Sequence, residues 1–296
     1  MHATAACRRL VALSLSRSRS GTVHSVFDHA VNLEFGFRGL IGLIAEEKAL
    51  TPYAVLVRTN APFALTGVRT GMAAYLGEGM LVIPDAQIEI DLASTPPVDL
   101  SIDSIELRYG SEAEEKLATL ILEALKSADT ETSLAPLATG DGGNIYSRFL
   151  ASRLDRLCSA VSLGVWEEAA QAAADCAGCG MGLTPSSDDL LSGFFTTLHL
   201  RLRAQHLFDA KAGIANMAQA AAEKTNQISA TFLLHSGEAL ANAAICNLLR
   251  SVYTFLDTAA ANRAIDRVLT IGSTSGVDML TGIVLALRQN MGGITS

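Results

Sequence analysis

The sequence predicts an α+β protein in which an N-terminal antiparallel β domain, a barrel or a sandwich, packs on a C-terminal all-α domain. Short apolar segments bounded by Gly, Pro, Asn and Asp fill the first third of the chain. From about residue 110 the apolar residues recur every three or four positions, which is typical of helices. No Gly/Ser-rich linker separates the halves, so residues 1–107 and 108–296 are expected to pack together.

The composition limits the functional classes and the location of the protein. Of its 296 residues 49% are hydrophobic, and the formal net charge is −8, which argues against a nucleic-acid partner held through phosphates. No apolar run reaches the length of a membrane span, so no membrane partner is expected. Residues 1–20 hold four arginines and no acid, but they show no clear cleavage site. We therefore expect a frayed start in a cytoplasmic protein.

The first domain has strand candidates at four places. Residues 22–35 alternate as a strand does, and residues 53–58, 80–83 and 87–91 are short apolar segments between turn-forming residues. Strands at this spacing favour an antiparallel barrel or sandwich.

The second domain has helical periodicity from residue 110 to near its end. Helices are predicted over residues 146–163 and 165–176, from Ser186 onward, and from Ser275 to about residue 290. The glycine-rich residues 134–144 are predicted to form a loop. That loop either flanks a site or is only a flexible turn.

One ten-residue motif occurs twice in the sequence, and each copy is predicted to begin a helix. Residues 184–193 align without gaps on residues 273–282, and a Ser followed three residues later by an Asp gives each copy the form of a capping box. Pro185 suits a first helical turn. The four identical positions are Ser186/Ser275, Asp189/Asp278, Leu191/Leu280 and Gly193/Gly282.

A repeated cap does not explain the glycine that lies four residues after each aspartate. A glycine inside a helix costs about 1 kcal/mol relative to alanine. We therefore predict that the two helices pack closely at Gly193 and Gly282, or that the glycines serve a ligand.

These two motifs resemble those of the AllH-type family. Its paired motifs, Gly-Leu-Thr-Pro-Ser-x-Asp-Asp and Thr-Ser-Gly-x-Asp, are both present, and the resemblance extends to residues 23–27, 30–33 and 225–229. AllH-type proteins are the third subunit of a bacterial oxamate carbamoyltransferase. The resemblance therefore implies carbamoyl transfer between oxalurate with phosphate and oxamate with carbamoyl phosphate, in purine and allantoin degradation. It also implies other enzyme subunits as partners.

Both helix starts are predicted to bind a small anionic substrate, because glycines admit a close ligand and helix N-termini attract anions. The candidate catalytic residues are Asp189 and Asp278, the acids that recur in both copies. Thr225 and Ser229 are added as binding residues because the resemblance covers them. The other candidate substrate-binding residues are Gly182, Thr184, Ser186, Ser187, Asp188, Ser273, Thr274, Ser275 and Gly276.

The aspartates complicate anion binding, since like charges repel. Either they fold back as caps, or they accept hydrogen bonds from substrate N–H groups, which oxamate and oxalurate carry beside a carboxylate. If the helices run roughly parallel where the glycines cross, both starts line one pocket. Antiparallel packing would instead give two separate caps.

Two functional classes stay open. The chain is either a catalytic carbamoyltransferase subunit or a non-catalytic subunit that binds a small anion or acts as a scaffold, since the motif contains no histidine base. No cofactor is expected, with Mg²⁺ on the aspartates as the alternative. Cys176 and Cys179 have metal or redox spacing, but with no second pair we expect two buried thiols. The chain also lacks the Ser-Thr-Arg-Thr phosphate signature, a P-loop, a Gly-x-Ser-x-Gly elbow and His-Glu-x-x-His.

Overall fold

The computed structural model describes residues 1–36 and 39–294, and the chain divides into two compact units, Met1–Leu100 and Ser101–Ser296. The predicted α+β class is confirmed, because the first unit holds the sheet and the second is helical. After Val98 the described residues contain no strand beyond an isolated bridge between Ser101 and Leu240.

The first unit is a nine-stranded sheet that curls into a half-barrel, with the strand order β8-β7-β6-β2-β3-β4-β5-β1-β9. Six of the eight strand pairs are antiparallel, and β4–β5 and β1–β9 are parallel, so the sheet is mixed. The elements are β1 His2–Cys7, α1 Arg8–Ser14, β2 Arg19–Val26, β3 Ala30–Glu34, β4 Ile41–Ile44, β5 Ala54–Arg58, β6 Ala73–Gly77, β7 Met80–Ile83, β8 Ile88–Asp91 and β9 Pro97–Val98.

The expectation of a frayed start is wrong. Strand β1 lies inside the sheet between β5 and β9, and Ala3, Ala6 and Cys7 are buried there. Its alanine-rich sequence has weak strand propensity, which hid it from the pattern. Strand β4 was also not predicted, because all four of its residues are buried and none alternates with a polar one.

The second unit contains ten α-helices within its described residues. They are α2 Gly110–Leu125, α3 Pro136–Thr139, α4 Ile145–Leu163, α5 Trp166–Cys176, α6 Ser186–Ala204, α7 Lys211–Ala222, α8 Gln227–Gly237, α9 Ala243–Tyr253, α10 Thr258–Leu269 and α11 Ser275–Leu287. The four predicted helices correspond to α4, α5, α6 and α11. None of the described helices combines the length and hydropathy needed to cross a bilayer.

Helix α6 is the centre of this unit. From Ser186 to Leu202 each of its residues except Ser192 is buried, and the helix packs against α7, α8 and α11. Near its end the buried Arg201 guanidinium bonds Glu114 Oε2 at 3.1 Å and the carbonyl oxygens of Ala286 and Gln289 at 2.7 Å. These bonds satisfy the buried charge and hold the C-terminal end of α11 to α6.

The predicted close packing at the two glycines is confirmed. A Cβ atom at Gly193 would lie 2.1 Å from the Met279 carbonyl oxygen, and one at Gly282 would lie 1.9 Å from the Leu190 carbonyl oxygen. The second copy of the motif lies 89 residues after the first, so Met279 is equivalent to Leu190 and Gly282 is equivalent to Gly193. The contact between α6 and α11 is therefore reciprocal, with each copy placing its glycine on the other's backbone.

Candidate functional site

The two helices of the repeat begin at serine, but the predicted capping boxes are wrong. No side chain caps the first turn of α6 or of α11. Main-chain carbonyls of the preceding loops accept first-turn N–H groups instead: Ser187 donates to Cys179 O at 2.9 Å, and Gly276 donates to Ile271 O at 3.0 Å. The serine hydroxyls are therefore available for other partners.

The serine hydroxyl of each copy lies beside the repeated aspartate of the other copy. Ser275 of the second copy faces Asp189 of the first, and Ser186 of the first copy faces Asp278 of the second. The same 89-residue offset relates the two pairings. Thr184 Oγ1 also lies 3.2 Å from Ser275 Oγ, which joins the first loop to the second helix. The two helix starts thus meet rather than lying apart as separate caps.

Both repeated aspartates are buried at this meeting point. Asp189 is 3% exposed and Asp278 is 0% exposed, and the Oδ2 atom of each has no hydrogen-bond partner among the residues that the structure describes. The other oxygen of Asp278, Oδ1, accepts the Leu134 N–H at 2.7 Å. Buried polar atoms in folded proteins are nearly always bonded, so these two carboxyl oxygens are exceptions that need an explanation.

Burial raises the pKa of both carboxyl groups, but unequally. It raises the pKa of Asp189 to about 8, opposed by the hydroxyls of Ser275 and Thr184 and reinforced by the neighbouring carboxyls of Asp278 and Asp188. It raises the pKa of Asp278 to about 6, where the Leu134 N–H and the Ser186 and Thr274 hydroxyls oppose it. Both carboxyl groups are therefore harder to ionise than an exposed aspartate, and the pKa of Asp189 is raised further than that of Asp278.

Asp188 differs from its neighbour because the protein bonds both of its oxygens. Its Oδ1 accepts the Gly178 N–H at 2.7 Å, and its Oδ2 accepts the hydroxyls of Ser229 at 2.7 Å and Thr225 at 2.5 Å. Ser187 Oγ lies 3.4 Å from Oδ1. The second copy has Val277 at the equivalent position, so this network belongs to the first copy alone.

Two family models match the chain over the parts just described. The model of the AllH family N-terminal domain matches residues 2–97, and the model described as oxamate carbamoyltransferase subunit AllH matches residues 176–287. The chain belongs to the AllH family. The second match runs from the end of α5 to the end of α11 and so includes both copies of the motif. No curated protein and no solved structure matches the chain.

Some of the residues predicted for the site of this AllH-family chain lie outside the aspartate pair. Gly182 and Ser273 are exposed on the two loops, and Gly276 is buried with its Cα against the Val268 carbonyl oxygen, where a Cβ would come within 1.9 Å. Thr225 and Ser229 reach Asp188 rather than the pair. The structure brings six predicted residues together around the pair: Thr184, Ser186, Asp189, Thr274, Ser275 and Asp278.

A glycine shapes the first of the covering loops. Gly180 has φ +130°, and a Cβ atom there would lie 2.4 Å from the Ser186 nitrogen. Only glycine tolerates both the conformation and the approach, so it allows the loop to lie on the start of α6.

The Leu134 N–H could not be predicted as a site group, because it belongs to the main chain and has no side-chain signal. It lies at the start of residues 134–144, which were predicted to form a loop but contain α3, and its bond brings the start of this segment to Asp278. The end of the loop is fixed by Asn144, whose side chain accepts the N–H groups of Tyr146 and Ser147 at 2.9 Å and so caps α4.

Of the two cysteines next to the first loop, which were both expected to be buried, Cys176 is buried and Cys179 is partly exposed. All five cysteines are unbridged, and Cys176 is buried, which raises its pKa to about 12. Burial also raises the pKa of Cys179. Within residues 1–36 and 39–294 no group of three His, Cys, Asp or Glu side chains is arranged to hold a metal ion.

Proposed function

We propose that this chain is the subunit of an oxamate carbamoyltransferase that binds oxamate and its carbamoylated form, oxalurate, at the Asp189–Asp278 pair. The observation that carries the proposal is the two buried Oδ2 atoms without a partner, one on each copy of the motif. An unbonded polar atom in the interior costs about 1–3 kcal/mol, and a ligand that bonds both atoms would remove that cost. The AllH family match supplies the substrate class.

Oxamate offers the two kinds of group that the pair and the helix starts accept. Its carboxamide suits the carboxyl groups, and its carboxylate suits main-chain N–H donors at the helix starts. The N–H groups of Ser186 and Ser275 meet no protein acceptor in the described part of the chain. The repulsion expected from three aspartates is reduced, because protein donors bond both oxygens of Asp188 and burial, by raising the pKa of Asp189, favours its neutral form.

In the proposed reaction Asp278 moves one proton. When the oxamate nitrogen attacks the carbamoyl carbon of carbamoyl phosphate, the bond from that carbon to the phosphate oxygen breaks and phosphate leaves. The nitrogen loses a proton, which Asp278 accepts as general base. In the reverse direction phosphate attacks the same carbon of oxalurate, the carbon–nitrogen bond breaks, and Asp278 returns the proton to the departing oxamate nitrogen. This step belongs to purine and allantoin degradation.

A non-catalytic ligand-binding or scaffolding subunit is the second candidate. The complete burial of Asp278 favours it, because carbamoyl phosphate would have to reach a side chain that has no exposed surface. In that case the pair holds oxamate for a reaction carried out on another subunit.

A thermal-shift titration tests the binding proposal. The full chain is titrated with oxamate, oxalurate, carbamoyl phosphate and phosphate, alone and in complex with its partner subunits. We expect oxamate and oxalurate to raise the melting temperature, because a ligand that binds only the folded state stabilises it by mass action. An Asp209→Asn variant, changed at an exposed carboxylate, is the control and should respond as the unchanged chain does. Absence of any response in both preparations would contradict the proposal.

Turnover by the assembled complex separates the two candidates. With Asp278→Asn in an intact complex, the catalytic role predicts a loss of carbamoyl transfer even when oxamate saturates the site. The non-catalytic role predicts that transfer recovers at high oxamate concentration.

A further inference from the structure

Resting on this proposed function, we infer that the two aspartates have unequal roles and together recognise the edge of a carboxamide. Asp189 donates a hydrogen bond to the carbonyl oxygen of the ligand, and Asp278 accepts one from its N–H group. The ligand class is therefore a primary or N-monosubstituted amide that carries an adjacent carboxylate. A dicarboxylate of the same size is rejected.

Burial raises the pKa of both carboxyl groups, and their different partners then distinguish them. The repeat makes Asp189 and Asp278 equivalent in sequence, but only Asp278 accepts a main-chain N–H, that of Leu134 at 2.7 Å. A main-chain N–H can only donate, so it favours an ionised carboxylate. The partners of Asp189 are the hydroxyls of Ser275 and Thr184, which can donate or accept and thus tolerate a protonated carboxyl.

The charged groups around the pair favour one shared proton. Asp278 on α11 and Asp188 on α6 act on Asp189, and both raise its pKa. The neighbouring segments contribute hydroxyls and the Leu134 main chain, and α8 contributes the Thr225 and Ser229 hydroxyls that bond Asp188. Two carboxyl groups close together in the interior do not both ionise readily, so near neutral pH one proton remains on the pair.

A carboxamide edge matches this arrangement. It presents one acceptor, the carbonyl oxygen, beside one donor, the N–H group, and the pair presents one donor beside one acceptor. Each of the two unpartnered Oδ2 atoms then has a partner. Oxalate has nearly the shape of oxamate but replaces the amide with a second carboxylate, which has no N–H to donate and repels Asp278.

Calorimetric titration of the unaltered full chain with oxamate and oxalate gives the first test. We expect oxamate to bind about 100-fold more tightly than oxalate near neutral pH, since oxalate leaves the buried Asp278 oxygen without a donor, at a cost of about 1–3 kcal/mol. Oxalate affinity equal to that of oxamate would overturn the inference and leave the proposed function standing. No binding of either oxamate or oxalurate, alone or in the complex, would overturn the proposed function itself.

Substitutions give the second test, with oxamate as the probe. Asp189→Ala is expected to weaken binding about tenfold or more, and Asp189→Asn to restore most of that loss because its amide still donates. Asp278→Asn is expected to weaken oxamate binding by a similar factor and to narrow the preference over oxalate. The exposed-site variant Asp209→Asn serves as the control. Equal loss in Asp189→Asn and Asp189→Ala would overturn the assignment.

The pH profile of the unaltered chain needs no variant and so does not depend on their folding. Oxamate binding should weaken above about pH 8, where Asp189 ionises, and below about pH 6, where Asp278 takes up a proton. A profile that is flat between about pH 5 and 9 would contradict the unequal roles.

Discussion

Asp188 and Asp189 are adjacent and both buried, yet only Asp188 has protein donors on both oxygens. Its bonds reach back to Gly178 in the first loop and across to Thr225 and Ser229 near the start of α8. At the residue scale, the first aspartate of the motif therefore holds the loop in place. The second has an oxygen with no protein partner and is the one that repeats.

Asp188→Asn should destabilise the protein without changing the identity of the ligand. The substitution replaces an acceptor by an amide group that faces donors, and we expect a loss of about 2 kcal/mol in the free energy of unfolding. Urea denaturation measures it, with Asp209→Asn as the matched control. An unchanged denaturation midpoint would show that these bonds contribute nothing to stability.

Asp189→Asn should alter the pH dependence of stability. The folded-state pKa of about 8 lies above the usual value for aspartate, so the contribution of this group is fully present below about pH 4 and is lost as the pH rises through about 8. The Asn variant has no carboxyl at this position and does not lose that stability. As the pH rises from about 4 to about 8, the free energy of unfolding of the unaltered chain should therefore fall relative to that of the variant by up to about 1.4 kcal/mol per pH unit.

The measurement is chemical denaturation of both proteins at several pH values between about 4 and 9. The difference between the two removes the contributions of titrating groups that do not interact with Asp189, such as His199, whose pKa burial lowers to about 4. Parallel stability curves would mean that Asp189 titrates as an exposed carboxyl does.

At the scale of elements, the crossing of α6 and α11 places the site. Each helix has a glycine where the other's main chain passes, one turn after the repeated aspartate. The close approach brings both helix starts together, so that the serine of each helix lies beside the repeated aspartate of the other helix.

Gly193→Ala and Gly282→Ala should each destabilise the protein by about 2–3 kcal/mol, because the new Cβ would overlap a main-chain oxygen. This loss outweighs the gain of about 1 kcal/mol in helix propensity. Thermal or urea unfolding measures it. Gly110→Ala is the matched control, since a Cβ at Gly110 meets no atom within 4 Å. Variants as stable as the control would contradict the close crossing.

The repeat was enough to predict the two helix starts and their close packing, because glycine inside a helix has a cost that packing explains. The caps were wrong for a physical reason: the first-turn donors found carbonyl oxygens at Cys179 and Ile271. Those acceptors are main-chain atoms of glycine-containing loops, and their positions depend on the tertiary fold.

Other features could not be predicted because no side-chain pattern in the sequence indicates them. The Leu134 N–H that bonds Asp278 is main chain, and any residue but proline would supply it. The alanines of β1 fit a buried strand but do not predict one. The exchange of Ser186 and Ser275 between helices depends on which helices meet, and the periodicity of each helix alone does not specify this.

At the scale of the whole molecule, the two family matches fall separately on the two units, one on the sheet and one on the helices that carry the aspartate pair. The family description makes the chain one subunit of a larger enzyme. The helical unit supplies the groups proposed to bind the amide acid.

The isolated chain should bind oxamate yet form no carbamoyl phosphate from oxalurate and phosphate. Turnover should appear when the other subunits are added, because the proposed role is that of one subunit among several. A carbamoyl phosphate assay on the chain alone and on the reconstituted complex measures this. Full turnover by the isolated chain would contradict the proposal that carbamoyl transfer needs the other subunits.

A crystal structure of the full chain with oxamate would show where the ligand binds. We expect the carboxamide between the two aspartates, with its carbonyl oxygen within hydrogen-bond distance of Asp189 Oδ2 and its nitrogen within that distance of Asp278 Oδ2. Oxamate bound elsewhere, with both carboxyl oxygens still unpartnered, would contradict it.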